Sequence, residues 1–288
     1  MREFMTMRKQ DKRQFNRRCV VRSVGALLLL LLTLFSLIGC RSNRADNGAT
    51  ERTKIVVGID KYQPYSYLAL DGSYTGIDVE LATLVFHRLG YEPDFQLIAW
   101  QEKNDLLADG SIDCIWSCYS MDGREDLYQW AGPYLNSPQV IAVRADSNIY
   151  TFDDLADQRV GVQATTRAAE LFLHDIDSEL PQVYRVNIFA TTDDMFAAIR
   201  KGYVDAIAGH EALINELVRE GDGAYRLLDK SPKISKAGVA FQKGTHVELA
   251  QEINALFEEF TADGTIARIV EKYGLDVNFS VIGGGDEA

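Results

Sequence analysis

Residues 113–126 read DCIWSCYSMDGRED, and the fold turns on how this stretch is taken. Cys114, Ile115 and Trp116 have the composition of a short buried strand. They run into Ser117, Ser120, a turn signal at Asp122 and Gly123, and then Arg124. In isolation such a segment reads as a surface turn with a solvated arginine. As a strand of an open α/β sheet it reads differently, because ligands of such sheets sit beyond the carboxyl ends of the strands. The flanking sequence decides between the two.

Upstream, residues 54–59 (KIVVGI) form a short apolar run of strand type. A turn signal at 70–74 (LDGSY) precedes Ile77, Leu81, Leu84, Val85 and Leu89, which have the spacing of an amphipathic helix ended by Gly90. A strand over 94–99, a helix over 102–108 and a strand over 112–116 complete one cycle. Downstream, 139–144 (QVIAVR) opens a second, with strands over 159–162, 184–189 and 204–208 and helices over 167–173 and 192–201. An apolar strand at 236–241 and helices at 247–261 and 265–273 come last. This alternation predicts an α/β fold with two mostly parallel sheets flanked by helices. The 249 residues after position 39 suit two lobes better than one core. Lobe 1 is expected over 53–138 and 236–288, lobe 2 over 139–235, with the two crossings forming a double-strand hinge.

The N-terminal 39 residues hold eight basic residues against two acidic ones, all ahead of an apolar run over 24–38. That run is shorter than the roughly 20 residues a spanning helix needs, and it ends in Leu37, Ile38, Gly39 and Cys40. This ending resembles a bacterial lipoprotein box, which implies cleavage before Cys40 and lipid attachment to its thiol. Residues 1–39 therefore read as a lipoprotein signal peptide and 40–52 as a polar tether, placing the protein on the extracytoplasmic face of the cell membrane, with palmitate among its acyl groups. An uncleaved anchor helix is the alternative.

Without that segment, eight of the 30 basic and two of the 42 acidic residues are gone, and the remainder carries a net charge of −18. Nucleic acid is excluded as a partner, since phosphate backbones are bound through lysine and arginine. Of the four cysteines, Cys19 and Cys40 lie in the leader region. Cys114 and Cys118 are four residues apart, about 13 Å along a strand, beyond the roughly 7 Å Cα limit of a disulfide. They are read as reduced and packed.

Taken together, the residues resemble the extracellular solute-binding proteins of amino-acid ABC importers, family 3, from about Lys54 to Leu275. The marks are GIDKYQPYSY at 58–67, GIDVELA at 76–82, Trp100, the 113–124 stretch, GPY at 132–134, VGVQ at 160–163, GYVDA at 202–206 and DGT at 263–265. Their order and spacing, rather than any one of them, carry the likeness. It implies a type II, two-lobe periplasmic-binding-protein-like fold, a monomer, and capture of a small solute, most readily an amino acid, for an ABC permease. It also implies that Ser120 and Arg124 hold the ligand's α-carboxylate, although the spacing between them is one residue shorter than usual. Thr165 and Thr166 fall where a helix N-cap belongs and are expected at the ligand, and by the resemblance Thr166 would meet that carboxylate from the side opposite Arg124. Tyr62 and Trp100 would wall the ligand side chain, and Asp60 and Ser117 complete the expected contacts.

One departure stands out. Where the family usually has an aspartate for the ligand's α-amino group, this chain has His210 followed by Glu211. Either Glu211 serves with a shift of register, or the ligand lacks an ordinary ammonium; His210 itself reads equally as a contact or as a satisfied loop residue. No cofactor or metal is expected, because His87, His174, His210 and His246 have no metal-ligand spacing and no Gly-x-x-x-x-Gly-Lys loop is present. The chain is read as a binding protein and not an enzyme. The alternatives are a cyclohexadienyl-type dehydratase of the same fold or a sensory ligand-binding module.

Overall fold

The computed structural model describes residues 52–174 and 179–283. The leader expected over 1–39 and the lipid site at Cys40 lie outside them. In chain order the elements are β1 (Thr53–Ile59), β2 (Tyr67–Leu68), β3 (Tyr74–Thr75), α1 (Ile77–Arg88), β4 (Tyr91–Leu97), α2 (Lys103–Ala108), β5 (Cys114–Ser120) and β6 (Tyr128–Arg144). There follow β7 (Arg159–Gln163), α3 (Arg167–Leu173), β8 (Arg185–Phe189), α4 (Thr192–Arg200), β9 (Ala206–His210), α5 (Glu211–Glu220), β10 (Tyr225–Leu227), β11 (Lys233–Gln242), α6 (Val247–Ala262), α7 (Thr265–Lys272) and α8 (Val277–Ser280).

Both expected parallel sets are present. β1 lies parallel to β4 and β5, and β7 lies parallel to β8 and β9. Two long strands join them edge to edge: β11 runs antiparallel to β5 and β6, and β6 runs antiparallel to β9. Among the described residues, nine strands thus form one mixed sheet in the order β4-β1-β5-β11-β6-β9-β7-β8, with β10 paired to β6, while β2 and β3 form a separate two-stranded sheet. The 17 residues of β6 pass through both halves.

Every residue of β5 is buried, because helices cover both faces of its half of the sheet. Cys114, Trp116 and Cys118 face the larger core, where Trp116 meets Phe86 of α1 and Phe257 of α6 edge-on. Ile115 and Tyr119 face the opposite side with Trp100 and Leu107. The two cysteines are free and buried, as their spacing implied. A separate cluster, including Ile141, Leu155, Val160 and Val162, fills the second half.

Helix α1 starts where it does because of Gly76. Its φ is +127, and a Cβ there would stand 2.2 Å from the Tyr65 carbonyl oxygen. Two residues on, Asp78 is fully buried and accepts from the Cys118 amide at 2.6 Å and the Tyr134 hydroxyl at 2.8 Å. Burial raises its pKa to about 7 against those two hydrogen bonds. The Asp78 contact also pins Cys118 at a φ of +45, an uncommon value for a residue with a side chain.

Candidate functional site

Strand β5 continues through Ser120, four residues beyond the sequence-based end at Trp116, because β11 pairs with it: Ala237 opposes Ser120 and Gly238 opposes Tyr119. Ser117 and Ser120 are therefore strand residues, and the loop begins at Met121. Ser117 Oγ lies 2.7 Å from Ser66 Oγ and accepts from the Asp60 amide at 3.2 Å, so it braces the end of β1. Ser120 donates to Asp122 through its hydroxyl, while its carbonyl accepts from Arg124 Nη1 at 2.9 Å.

Around these residues closes a cavity of about 20 Å³ lined by Asp60, Tyr62, Trp100, Ser117, Ser120, Arg124, Thr166 and His210, together with Cys118, Tyr119, Gln163 and Arg167. Eight of the ten expected ligand-binding residues thus line one space, which in this closed form has room for about one water molecule. Thr165 stands beside it: its hydroxyl accepts from Lys103 Nζ at 2.7 Å and its carbonyl from Arg124 Nη2 at 3.4 Å. Glu211, the first residue of α5, is not brought in. It lines a different depression of about 840 Å³ with Asn136, Glu216 and Tyr273, because the turn of the helix carries it away from His210.

Bonds between the two halves of the sheet shut the cavity. Arg124, only 4 % exposed, donates from Nε at 3.0 Å and Nη2 at 2.5 Å to Glu170 Oε1 of α3. The other Glu170 oxygen accepts from Arg167 Nη1 at 3.2 Å. Gln163 Nε2 donates to Asp60 Oδ2 at 2.6 Å. At the rim, Lys61 pairs with Asp193 and Gln63 donates to Glu216. Thr166 caps α3, accepting from the Ala169 amide at 3.3 Å and donating to the Gln163 carbonyl at 2.8 Å.

The electrostatics follow from burial. The Asp60 carboxyl is raised above its ordinary value by desolvation, partly offset by the Gln163 hydrogen bond. Burial first and the Arg124 charge second lower Lys103 to about 7. His210 is lowered to about 4 by burial and then by Arg124, so its imidazole is neutral at neutral pH. Its Nδ1 lies 2.8 Å from Ser137 Oγ and 3.0 Å from Gln139 Nε2, both on β6. Its ring meets Tyr62 edge-on at 5.9 Å. Trp100 and Tyr119 pack perpendicular at 5.4 Å, and Arg124 sits 4.8 Å over the Tyr119 ring.

Sequence reasoning missed Lys103, Gln163 and Glu170 as site residues. Glu170 had a signal: it lies four residues after Thr166, on the same face of the helix that Thr166 caps. Lys103 follows the Trp100 turn, but its burial depends on Thr165, 62 positions away.

A cavity formed at strand ends by both halves of an α/β sheet, with an arginine and capped hydroxyls converging on it, defines a binding receptor for small solutes. Residues 55–276 match the bacterial extracellular solute-binding proteins, family 3, and the chain belongs to that family. Among its relatives, the L-cystine-binding protein TcyJ of Escherichia coli (strain K12) is 26% identical over 261 residues, covering 88% of this chain and 95% of the relative. The glutamate-binding protein GluB of Corynebacterium efficiens is 27% identical, covering 92% and 93%. Of solved structures, a substrate-binding protein of an ABC uptake transporter from Streptococcus pneumoniae with bound histidine superposes with a TM-score of 0.71 at 25% identity, covering 77% of this chain and 92% of that one. An ancestral arginine-binding protein bound to arginine gives 0.70 at 24% identity, covering 78% and 99%, a likeness of fold.

Proposed function

We propose that this protein captures an amino acid between two lobes, 53–138 with 236–288 and 139–235, and delivers it to an ABC import permease. It does so as a monomer tethered to the outer face of the membrane by lipid on Cys40. The observation that carries the reading is the meeting of Arg124 with the Gln163 to Glu170 segment over one cavity, each half of the sheet supplying part of the contacts. Closed as it is here, the cavity admits no amino acid. Entry therefore requires the halves to separate, with bending in β6 and β11 as the hinge. Arg124 receives the α-carboxylate through parallel charge-assisted hydrogen bonds. Tyr62 and Trp100 wall the side chain, and Thr165 and Thr166 approach from the opposite half.

With His210 neutral and Glu211 on another depression, Asp60 is the carboxylate that faces the cavity and the group placed to meet the ligand's ammonium. The same arrangement argues against dehydratase chemistry. Its two candidate acid–base residues are taken away: Glu211 lines another depression, and His210 is held by Ser137 and Gln139.

A thermal-shift screen of the twenty amino acids, cystine and related amines tests the reading. A ligand at 100 times its Kd adds about 2.7 kcal/mol of stability, and a screen in which no amino acid raises the melting temperature refutes it. Turnover of a cyclohexadienyl carboxylate would favour the enzyme instead.

A further inference from the structure

Two cations, Arg124 and Arg167, line the cavity, and a third, Lys103, packs against the Trp100 and Tyr119 rings of its wall. Among the described residues, the carboxylates near them are Glu170 and Asp60. Glu170 is shared between the two arginines, and Asp60 is bonded to the neutral Gln163. Lys103 is 1 % exposed, and among the described residues it has no carboxylate partner. Its ammonium donates to two neutral acceptors, Thr165 Oγ1 at 2.7 Å and the Trp100 carbonyl at 3.3 Å, which leaves one of its three protons uncommitted.

Aromatic faces hold Lys103 where it is, at 4.7 Å from the Trp100 centroid and 5.5 Å from that of Tyr119. Arg124 lies 4.8 Å from the same Tyr119 ring, so one tyrosine carries both charges. Burying two like charges side by side is costly unless an anion joins them. The neighbouring Trp100 Nε1 is a buried donor with no partner among the described residues, and Gln163 Oε1 is a buried acceptor with none. The uncommitted donors belong to Lys103 and Trp100, whose neighbours include Arg124. The acceptors, Asp60 and Gln163 Oε1, belong to two residues joined by the Gln163 Nε2 to Asp60 hydrogen bond.

We propose that Lys103 and the Trp100 indole form a second anion subsite beside Arg124, and that the ligand is an acidic amino acid with two carboxylates and one ammonium. One carboxylate takes the place of Glu170 on Arg124, the other meets Lys103 and Trp100 Nε1, and the ammonium sits between Asp60 and Gln163 Oε1. The low pKa of Lys103 fits this arrangement, since repulsion from Arg124 is part of its cause and an arriving carboxylate reverses it. The proposal rests on the amino-acid reading of the cleft and names the class within it.

Calorimetric titration of the purified full-length protein with L-glutamate, L-aspartate, L-glutamine, L-asparagine and L-arginine tests it. In the wild type, glutamate or aspartate is expected to bind at least a hundredfold more tightly than its amide. In Lys103→Met that ratio should fall to within about fivefold, while Lys103→Arg should keep most of it, an outcome that a merely structural lysine would not give. Lys103→Gln replaces Lys103→Met if the latter does not fold, and the wild-type ratio needs no variant. Arginine or an amide binding as tightly as the acids overturns this proposal and leaves the amino-acid reading standing, as does an unchanged ratio in Lys103→Met. If none of the five binds and the wider amino-acid screen is also silent, the reading of the cleft itself falls.

Discussion

Arg124 and Glu170 face each other across the two halves of the sheet, the guanidinium giving two of its N–H groups to one carboxylate oxygen. A carboxylate of the protein thus occupies the seat proposed for a carboxylate ligand. Arg124 is also the better buried of the two, with its side chain 5 % exposed against 30 % for Glu170. Removing it strands an anion in a closing cleft, at a cost of about 3 to 5 kcal/mol. Arg124→Ala is therefore expected to weaken amino-acid binding more than a hundredfold, with Arg124→Lys recovering only part. Calorimetry checks this; a folded Arg124→Ala protein binding within threefold of wild type would make the arginine a bystander.

Glu170→Gln should act in the opposite direction. An amide keeps a neutral hydrogen bond to Arg124 but surrenders the charge-assisted one, a difference of about 1 to 1.5 kcal/mol. The incoming carboxylate then displaces a weaker competitor, and affinity should rise about tenfold. Unchanged or weaker binding would show that Glu170 stays on Arg124 when the ligand enters.

Asp78 and His210 pull the pH dependence of stability in opposite directions. Asp78 titrates near 7 when folded and near 3.8 when unfolded, so its contribution is lost as pH rises from about 4 to 7, on the order of 4 kcal/mol at full extent. His210 titrates near 4 when folded and 6.5 when unfolded, so its contribution is lost as pH falls from about 6.5 to 4, on the order of 3 kcal/mol. The two slopes largely cancel. Asp78→Asn should expose the histidine slope, with the variant losing stability towards pH 4, and His210→Gln should expose the reverse. Urea denaturation across that window reads both, and parallel profiles for the two variants would contradict the assignment.

Gly76→Ala should lower the urea midpoint without changing the slope, at a cost above about 2 kcal/mol. The added Cβ meets the Tyr65 carbonyl, and φ is unfavourable for alanine. An alanine variant within 0.5 kcal/mol of wild type, roughly the scatter of neutral surface changes, would mean that the turn relaxes freely.

Cys40→Ser is expected to leave the protein unlipidated, either released from the membrane or unprocessed. Mass spectrometry of the wild-type N-terminus checks the premise. An unmodified chain beginning upstream of Cys40 would refute the lipid anchor.

Much of this architecture could be read from local pattern. The apolar spacing of Ile77, Leu81 and Val85 sets α1, Thr166 signals the start of α3, and the short spacing of Cys114 and Cys118 forbids a disulfide. What could not be read depends on chain partners far away. Ser120 belongs to a strand because Ala237 lies opposite it. Lys103 looks like an ordinary surface lysine until Thr165 covers it, and Glu170 looks like a solvated helix residue until Arg124 reaches it. Glu211 illustrates the converse: one residue beyond a cavity-facing histidine, a new helix turns its carboxylate elsewhere.

Strand β5 lies between β1 and β11, and β11 begins more than 110 residues later in the chain. The first half of the sheet therefore lacks its inner neighbour until nearly the whole polypeptide exists. Such pairings raise contact order and slow folding, because loop closure must precede the contacts that reward it. A chain whose central strand still awaits its partner remains extensible, so the first half of the sheet is completed only together with the C-terminal part of the polypeptide.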